Sequence, residues 1–242
     1  MINFFVDILL GLNRLLFNNL GLTIIVVGIL SRAVFHPFII SSLRYNKALR
    51  DLKPQLDSIK KKYGKDIRKV SEEQSKLFRA SGVHPAAGAI SCLSTITQIV
   101  VFIILYQALI KVISSGVQTS FLLWNLANPD VYHIQGVPIP IPGLLVILSA
   151  FGTLIQSQML TPETKKAPPK KGEKGDISDD LMAWQQQTMF IFPIIILLIG
   201  LRFPAGLVLY WAISTLYGII QQYQASGLGG LKLWLASLPI KK

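Results

Sequence analysis

Five apolar runs of bilayer length, at about residues 20–43, 90–112, 143–160, 184–202 and 205–224, constrain this chain more than any other feature. A spanning helix takes roughly 20 apolar residues at 1.5 Å rise each. In lipid the backbone must satisfy its own hydrogen bonds, which for runs of this length means helices. The last two runs share one stretch of about 40 residues, too long for a single crossing, and RFPAG at 202–206 supplies the turn between them. Composition agrees: 51% of the 242 residues are hydrophobic and 15% charged, and the mean hydropathy of +0.50 is too high for an ordinary soluble domain. The expected fold is all-α, a polytopic membrane protein of five transmembrane helices.

The charges orient those helices. Of the 24 Lys and Arg, residues 44–83 carry twelve, 161–183 five and 226–242 three, whereas 113–142 carries none and the RFPAG turn only Arg202. Basic loops stay in the cytoplasm, so the N-terminus is expected outside and the C-terminus inside a plasma (inner) membrane. All the basic loops then fall on one side.

Around the 20–225 core the chain divides further. Residues 1–19 place Asn3, Asp7, Gly11, Arg14 and Asn18 on one helical face, the pattern of an amphipathic interfacial helix. A cleaved signal peptide would show a basic start and a small-x-small site, and neither is present. Residues 44–83 read as a cytoplasmic helical hairpin: Leu49, Leu52, Leu56 and Ile59 recur at helical spacing, Pro54 starts or kinks the first arm, the chain breaks at Tyr63–Gly64–Lys65, and Ser71 with Gln74 forms a capping box for the second arm. Residues 161–183, rich in Pro, Gly and charge, read as a flexible cytoplasmic loop, and 226–242 as a short cytoplasmic tail.

Catalysis has no visible home. The single Cys92 excludes a disulfide framework, the histidines His36, His84 and His133 have no metal-ligand spacing, and GxSxG, Walker and HExxH motifs are absent. No catalytic residue, metal or cofactor is expected.

The exception to apolarity is Arg32, in GILSRAVFHPF near the middle of the first run. A charge at that depth costs roughly 2.5–3.5 kcal/mol on insertion scales and marks a functional site by default. None of the 12 acidic residues lies in a proposed span, so a buried ion pair does not explain it. Polar residues recur on single faces of other spans: Ser91, Ser94, Thr95 and Gln98; Ser149, Thr153 and Gln156; Trp211, Ser214, Thr215 and Gln221. Each stripe alone suits interhelical hydrogen bonding. Together with Arg32, whose guanidinium has five donors to satisfy, they suit a hydrated, positively charged cavity that favours anions or passing polypeptide with acidic residues.

The amphipathic leader, VVGILSRAVFHPF, the basic hairpin, VHPAAGAISCLSTITQIVVFIILYQAL, IQSQMLTP and FPAGLVLYWAISTLYGIIQQYQ together resemble the YidC/Oxa/Alb family of membrane protein insertases over about residues 2–225. The resemblance implies five helices around a hydrophilic groove that opens to the cytoplasm and to lipid and is closed outside. Arg32 matches the family's groove arginine, Trp211 its groove aromatic, and Gln98 and Gln156 fall where groove-facing polar residues are expected, with Ser214 beside them. The hairpin, with Lys60, Lys61, Lys62 and Tyr63 at its tip, is similar to the substrate-recruiting element. Implied partners are nascent membrane proteins, membrane lipids, the ribosome and a Sec translocon, with a monomer as the working unit. The chain departs from the family pattern at HPAAGAISC, where an NPxxGC-like start is common, and its tail is only modestly basic. The expected function is insertion: a hydrophilic flank held in the groove while the apolar helix partitions into lipid. The runner-up is a small anion transporter or channel using Arg32, against which stands the lack of an inverted repeat. An intramembrane enzyme, with Ser91, Ser94 or Ser149 as nucleophile, is the third class.

Overall fold

The computed structural model describes residues 2–64, 66–82, 86–136, 138–161 and 191–237, with the side chains of 86–95 excepted. Nine helices are described: α1 (Ile2–Leu15), α2 (Leu20–Val34), α3 (His36–Tyr63), α4 (Ile67–Ala80), α5 (Ala86–Ser114), α6 (Leu144–Met159), α7 (Ile191–Gly200), α8 (Ala205–Ser226) and α9 (Leu231–Ser237). Between α5 and α6 lie two small antiparallel hairpins, β1 (Ser120–Phe121) with β2 (Trp124–Asn125) and β3 (Val131–Tyr132) with β4 (Ile141–Pro142).

The architecture is helical, and several boundaries differ from those expected. The run 20–43 is carried by two helices, since α2 ends at Val34 and α3 starts at His36 with Pro37 in its first turn. A proline ring there denies the chain a continuous hydrogen-bond ladder. α3 then runs 28 residues without a break at position 44, because loss of apolarity does not end a helix. The second hairpin arm starts earlier than Ser71: Asp66 is its N-cap, its carboxylate accepting from the Lys69 N–H at 3.2 Å. Among the described residues Ile96–Ser114 is by itself long and apolar enough to cross a membrane, and α1 with α2, bent by 119°, passes as a pair. α6, with 16 residues, rises about 24 Å, short of a hydrocarbon core of roughly 30 Å.

The 119° bend has a local cause. Phe17 and Asn18 both take left-handed backbone (φ 59° and 56°), and Asn19 caps α2 by accepting from Leu22 N–H at 3.1 Å. Thr23 Oγ1 donates to Asn13 Oδ1 across the bend at 3.1 Å, both residues buried. The polar stripe Asn3, Asp7, Gly11, Arg14 and Asn18 is exposed, and Leu9 is buried opposite it.

The apolar core is concentrated at one end of the bundle. It joins Leu20 and Ile24 of α2, Leu105 to Val112 of α5, Leu145 and Val146 of α6, and Ala205 to Tyr210 of α8 around the fully buried Leu126. That end is sealed by backbone: Ala205 N–H donates to Asn128 O at 2.8 Å and Gly206 N–H to Leu126 O at 3.0 Å. The carboxylate of buried Asp130 accepts from Leu145 N–H at 2.7 Å, satisfying the first turn of α6. Phe121 lies on Gly21, where any Cβ would overlap its ring. The α3–α4 hairpin has a small cluster of its own, Leu52 and Leu56 against Tyr45, Ala48, Leu77 and Phe78. The 226–242 tail contains α9, and Gly230 N–H donates to Thr161 O at 2.9 Å, so its first half is packed on the end of α6.

Candidate functional site

The opposite end of the bundle is polar inside. Five buried polar atoms have no protein partner among the described residues: Arg32 Nε, Gln158 Nε2, Ser214 Oγ, Gln221 Oε1 and Gln222 Oε1. Buried polar atoms without partners cost about 1–3 kcal/mol each, so a cluster of them marks a place where water or a ligand is expected. Four of them lie toward the C-terminal ends of α2, α6 and α8, and Ser214 lies midway along α8.

Arg32 sits in the last turn of α2, not midway along an unbroken span. The last turn of a helix is where the backbone dipole favours a cation. One turn earlier on the same face, Gly28 is close enough to α8 that a Cβ would meet Ile213 Cγ2 at 3.0 Å and Tyr210 Cδ2 at 3.6 Å. The guanidinium thus enters the seam between α2 and α8, with no ion pair or hydrogen bond among the described residues.

Trp211 joins three helices. Its Nε1–H donates to Thr153 Oγ1 of α6 at 3.3 Å, and its ring meets Phe102 of α5 edge-on at 5.3 Å and Phe192 of α7 at 5.8 Å. Gln98 is half-buried one turn before Phe102 on the same face of α5 and has no hydrogen bond among the described residues. Gln156 lies across Gly218 of α8, with Nε2 at 2.3 Å from where a Cβ would stand. Ser214, one turn after Trp211, is buried with its hydroxyl unpaired. The structure therefore brings Trp211, Gln156 and Ser214 to the α6–α8 seam and Arg32 to the adjoining α2–α8 seam.

Two stripe residues behave differently. Ser149 donates to Leu145 O at 2.8 Å and Thr153 to Ser149 O at 2.7 Å, both buried. Their hydroxyls are satisfied one helical turn back, so they pack α6 on α8 instead of facing a cavity. Ser91, Ser94 and Thr95 lie outside the described side chains.

Sequence reading missed several polar contacts at this end. Gln221 Nε2 meets His36 Nδ1 at 3.0 Å, and the His36 ring stands edge-on to Tyr217 at 6.2 Å. Gln222 Nε2 donates to Ser226 Oγ at 2.5 Å and to Met159 O at 3.4 Å. Arg50 of the hairpin donates to Leu160 O at the C-terminus of α6, and burial there lowers its guanidinium from the ordinary arginine value, with Asp51 opposing. QQYQ in the fifth run was the one visible signal, polar residues at a spacing that cannot all face lipid. At the hairpin tip Lys61 and Lys62 are exposed, Lys60 and Tyr63 half-buried, and the Lys62 ammonium lies 5.2 Å from the Tyr63 ring centroid.

A family model described as 60Kd inner membrane protein matches residues 12–227. The membrane protein insertase MisCA of Bacillus subtilis is 30% identical over 214 residues, covering 87% of this chain and 71% of that protein. The membrane protein insertase YidC of Fusobacterium nucleatum is 29% identical over 208 residues, covering 85% of each. The membrane protein insertase YidC of Methylococcus capsulatus is 31% identical over 209 residues, covering 86% of this chain and 33% of that longer protein.

Proposed function

Because this chain belongs to the 60Kd inner membrane protein family and is a membrane protein insertase, we propose that the polar end of its bundle is the groove that receives a substrate's hydrophilic flank. The observation that carries the reading is Arg32, a cation with a buried, unpaired Nε in a bundle that also buries the unpaired Ser214 Oγ and Gln221 Oε1, and with no ion pair among the described residues. Such a site offers hydrogen bonds and positive charge to a polypeptide that has left bulk water. It holds the flank without fixing a sequence, because Arg32, Gln98, Gln156 and Ser214 present polar groups of several kinds.

In this reading the five apolar runs are five spans, the N-terminus lies outside a plasma membrane and the C-terminus inside, and the Leu126 core closes the outer end while the polar end opens to the cytoplasm. The short α6 supports a locally thinned bilayer, which shortens the path of the flank. The α3–α4 hairpin recruits the nascent chain through Lys60, Lys61, Lys62 and Tyr63. No bond is made or broken: each Leu-like residue of the substrate gains roughly 0.3–0.6 kcal/mol on entering lipid, and a membrane potential adds about 2.3 kcal/mol per translocated negative charge per 100 mV. The ribosome and a Sec translocon are proposed partners of a monomeric insertase. The relatives give the anion-transport reading no support.

Photocrosslinking tests the groove. A benzophenone side chain at position 32 or 211 should capture a stalled nascent membrane segment through its flank, and one at the lipid-facing Ile103 should not capture that flank. Equal capture from all three positions would refute a groove at Arg32.

A further inference from the structure

Residues 113–142, between α5 and α6, form a segment of thirty residues with a single charged side chain, Asp130. That charge is withdrawn from the surroundings: Asp130 is 8% exposed and its carboxylate is occupied by the N–H groups of Leu145 and Val146. Its exposed surface mixes polar side chains such as Gln118, Asn125, His133 and Gln135 with several large apolar ones. Leu122 and Leu123, the two residues between β1 and β2, are 81% and 86% exposed, and Tyr132, Ile134 and Ile139 of the second hairpin region are exposed as well.

The leucine tip is also held against local preference. Leu122 has φ +51°, in the left-handed region that disfavours a side-chain-bearing residue, and a two-residue hairpin loop with positive φ at its first position ordinarily has Gly there. The same combination recurs nearby: Phe17, in the α1–α2 bend, is 89% exposed with φ +59°. The two places adjoin, because Phe121 of β1 lies on Gly21 in the first turn of α2.

We propose that the 113–142 segment, with Phe17, is a membrane-interface anchor whose partner is the headgroup–acyl boundary of the leaflet at this end of the bundle. The lipid-facing surface of α5, with Ile103 and Ile110 exposed, leads to the start of this segment. The exposed Tyr132 supplies an aromatic group that settles at that depth, and Trp124, half-buried, ties the first hairpin to the core. The exposed leucines and Phe17 supply the apolar wedge. With no Lys, Arg or exposed acid in the segment, the attachment is apolar and aromatic, so it does not select anionic lipid. The proposal rests on the membrane-spanning reading of α5.

The test uses the full chain with Cys92→Ser, in nanodiscs of neutral phosphatidylcholine, carrying one NBD label at Leu123→Cys, at Ile103→Cys as a lipid reference or at Ser71→Cys as a water reference. The label at 123 should be blue-shifted toward that at 103, protected from iodide, and quenched more by lipid brominated near the headgroup than near the chain end. High salt or added anionic lipid should leave the signal unchanged. Emission and iodide quenching at 123 that match position 71, with 103 still in lipid, would overturn the anchor and leave the spanning reading intact. Water-like emission at 103 as well would overturn the spanning reading itself. Protection at 123 that disappears as protein is diluted in lipid would assign the tip to a second copy of the chain and overturn a lipid partner.

Discussion

Replacing Asp130 should loosen the bundle from a distance of fifteen residues. Its carboxylate accepts from Leu145 N–H at 2.7 Å and Val146 N–H at 3.4 Å, and Gly143, the N-cap of α6, has no side chain to take over. Losing an N-cap costs about 1 kcal/mol, a favourable partly buried charge at a helix N-terminus contributes up to ~2 kcal/mol, and stranded buried N–H groups cost about 1–3 kcal/mol. These overlap, so Asp130→Ala should cost about 2–3 kcal/mol, and Asp130→Asn, which keeps an acceptor but not the charge, about 1 kcal/mol. At about 2–4 °C per kcal/mol for a chain of this size, thermal unfolding in neutral nanodiscs, followed by intrinsic fluorescence, should fall by roughly 5–10 °C for Ala and 2–4 °C for Asn. Gly143→Ala provides a second arm, since its Cβ would stand 2.1 Å from Asp130 Oδ1. It should destabilise the native chain and be far milder in the Asp130→Ala background, a coupling expected only of groups in contact. An Asp130→Ala melting temperature within about 1 °C of the unaltered chain, or additive effects of the two substitutions, would refute the cap.

Four further outcomes are expected. Arg32→Ala should reduce insertion of substrates with acidic flanks most and of neutral ones least, with Arg32→Lys intermediate because it keeps charge but not the planar fork; equal activity on both substrates in an in vivo insertion assay would reduce Arg32 to packing. The protein level of Arg32→Ala should hold, since no acid among the described residues is left stranded. Arg50→Ala removes a charged hydrogen bond to Leu160 O, and amide exchange around Gln158–Leu160 should rise about tenfold, as a loss of about 1.4 kcal/mol implies; unchanged exchange would show the contact to be idle. Deleting residues 53–80 should leave a folded, membrane-integrated protein without insertion activity, because the Leu52–Leu56 cluster is separate from the Leu126 core, and degradation of the product would contradict that separation.

Helical architecture was legible because apolarity and charge repeat along the chain, and those signals need no knowledge of contacts. The residues toward Arg32 and Trp211 were legible for the same reason: polar groups in an apolar run stand out. Geometry was less so. Hydropathy treats 20–43 as one object, although Pro37 was in plain view and splits it at Phe35. Ser71 and Asp66 are both competent caps, and the one nearer the Gly64 turn won. Two-residue strands such as Ser120–Phe121 are too short to leave an alternating pattern. The pairing of His36 with Gln221 spans 185 positions, and Asp130 caps a helix it does not precede directly. Such contacts exist only once the chain is folded.

α3 is a single 28-residue helix from His36 to Tyr63, and its length makes it a lever. At 1.5 Å per residue it extends about 42 Å, with its root where His36 meets Gln221 and its far end at the exposed lysines of the tip. A tilt of about 10° at the root swings that far end through about 7 Å, farther than one helical turn. Pro54 lies partway along, where the carbonyl of Arg50 has lost its intrahelical donor, and Arg50 itself grips the end of α6. The arm therefore has a fulcrum at His36, a grip at Arg50 and a compliant point at Pro54 along one rod, so a displacement of its tip is resisted at the ends of α6 and α8.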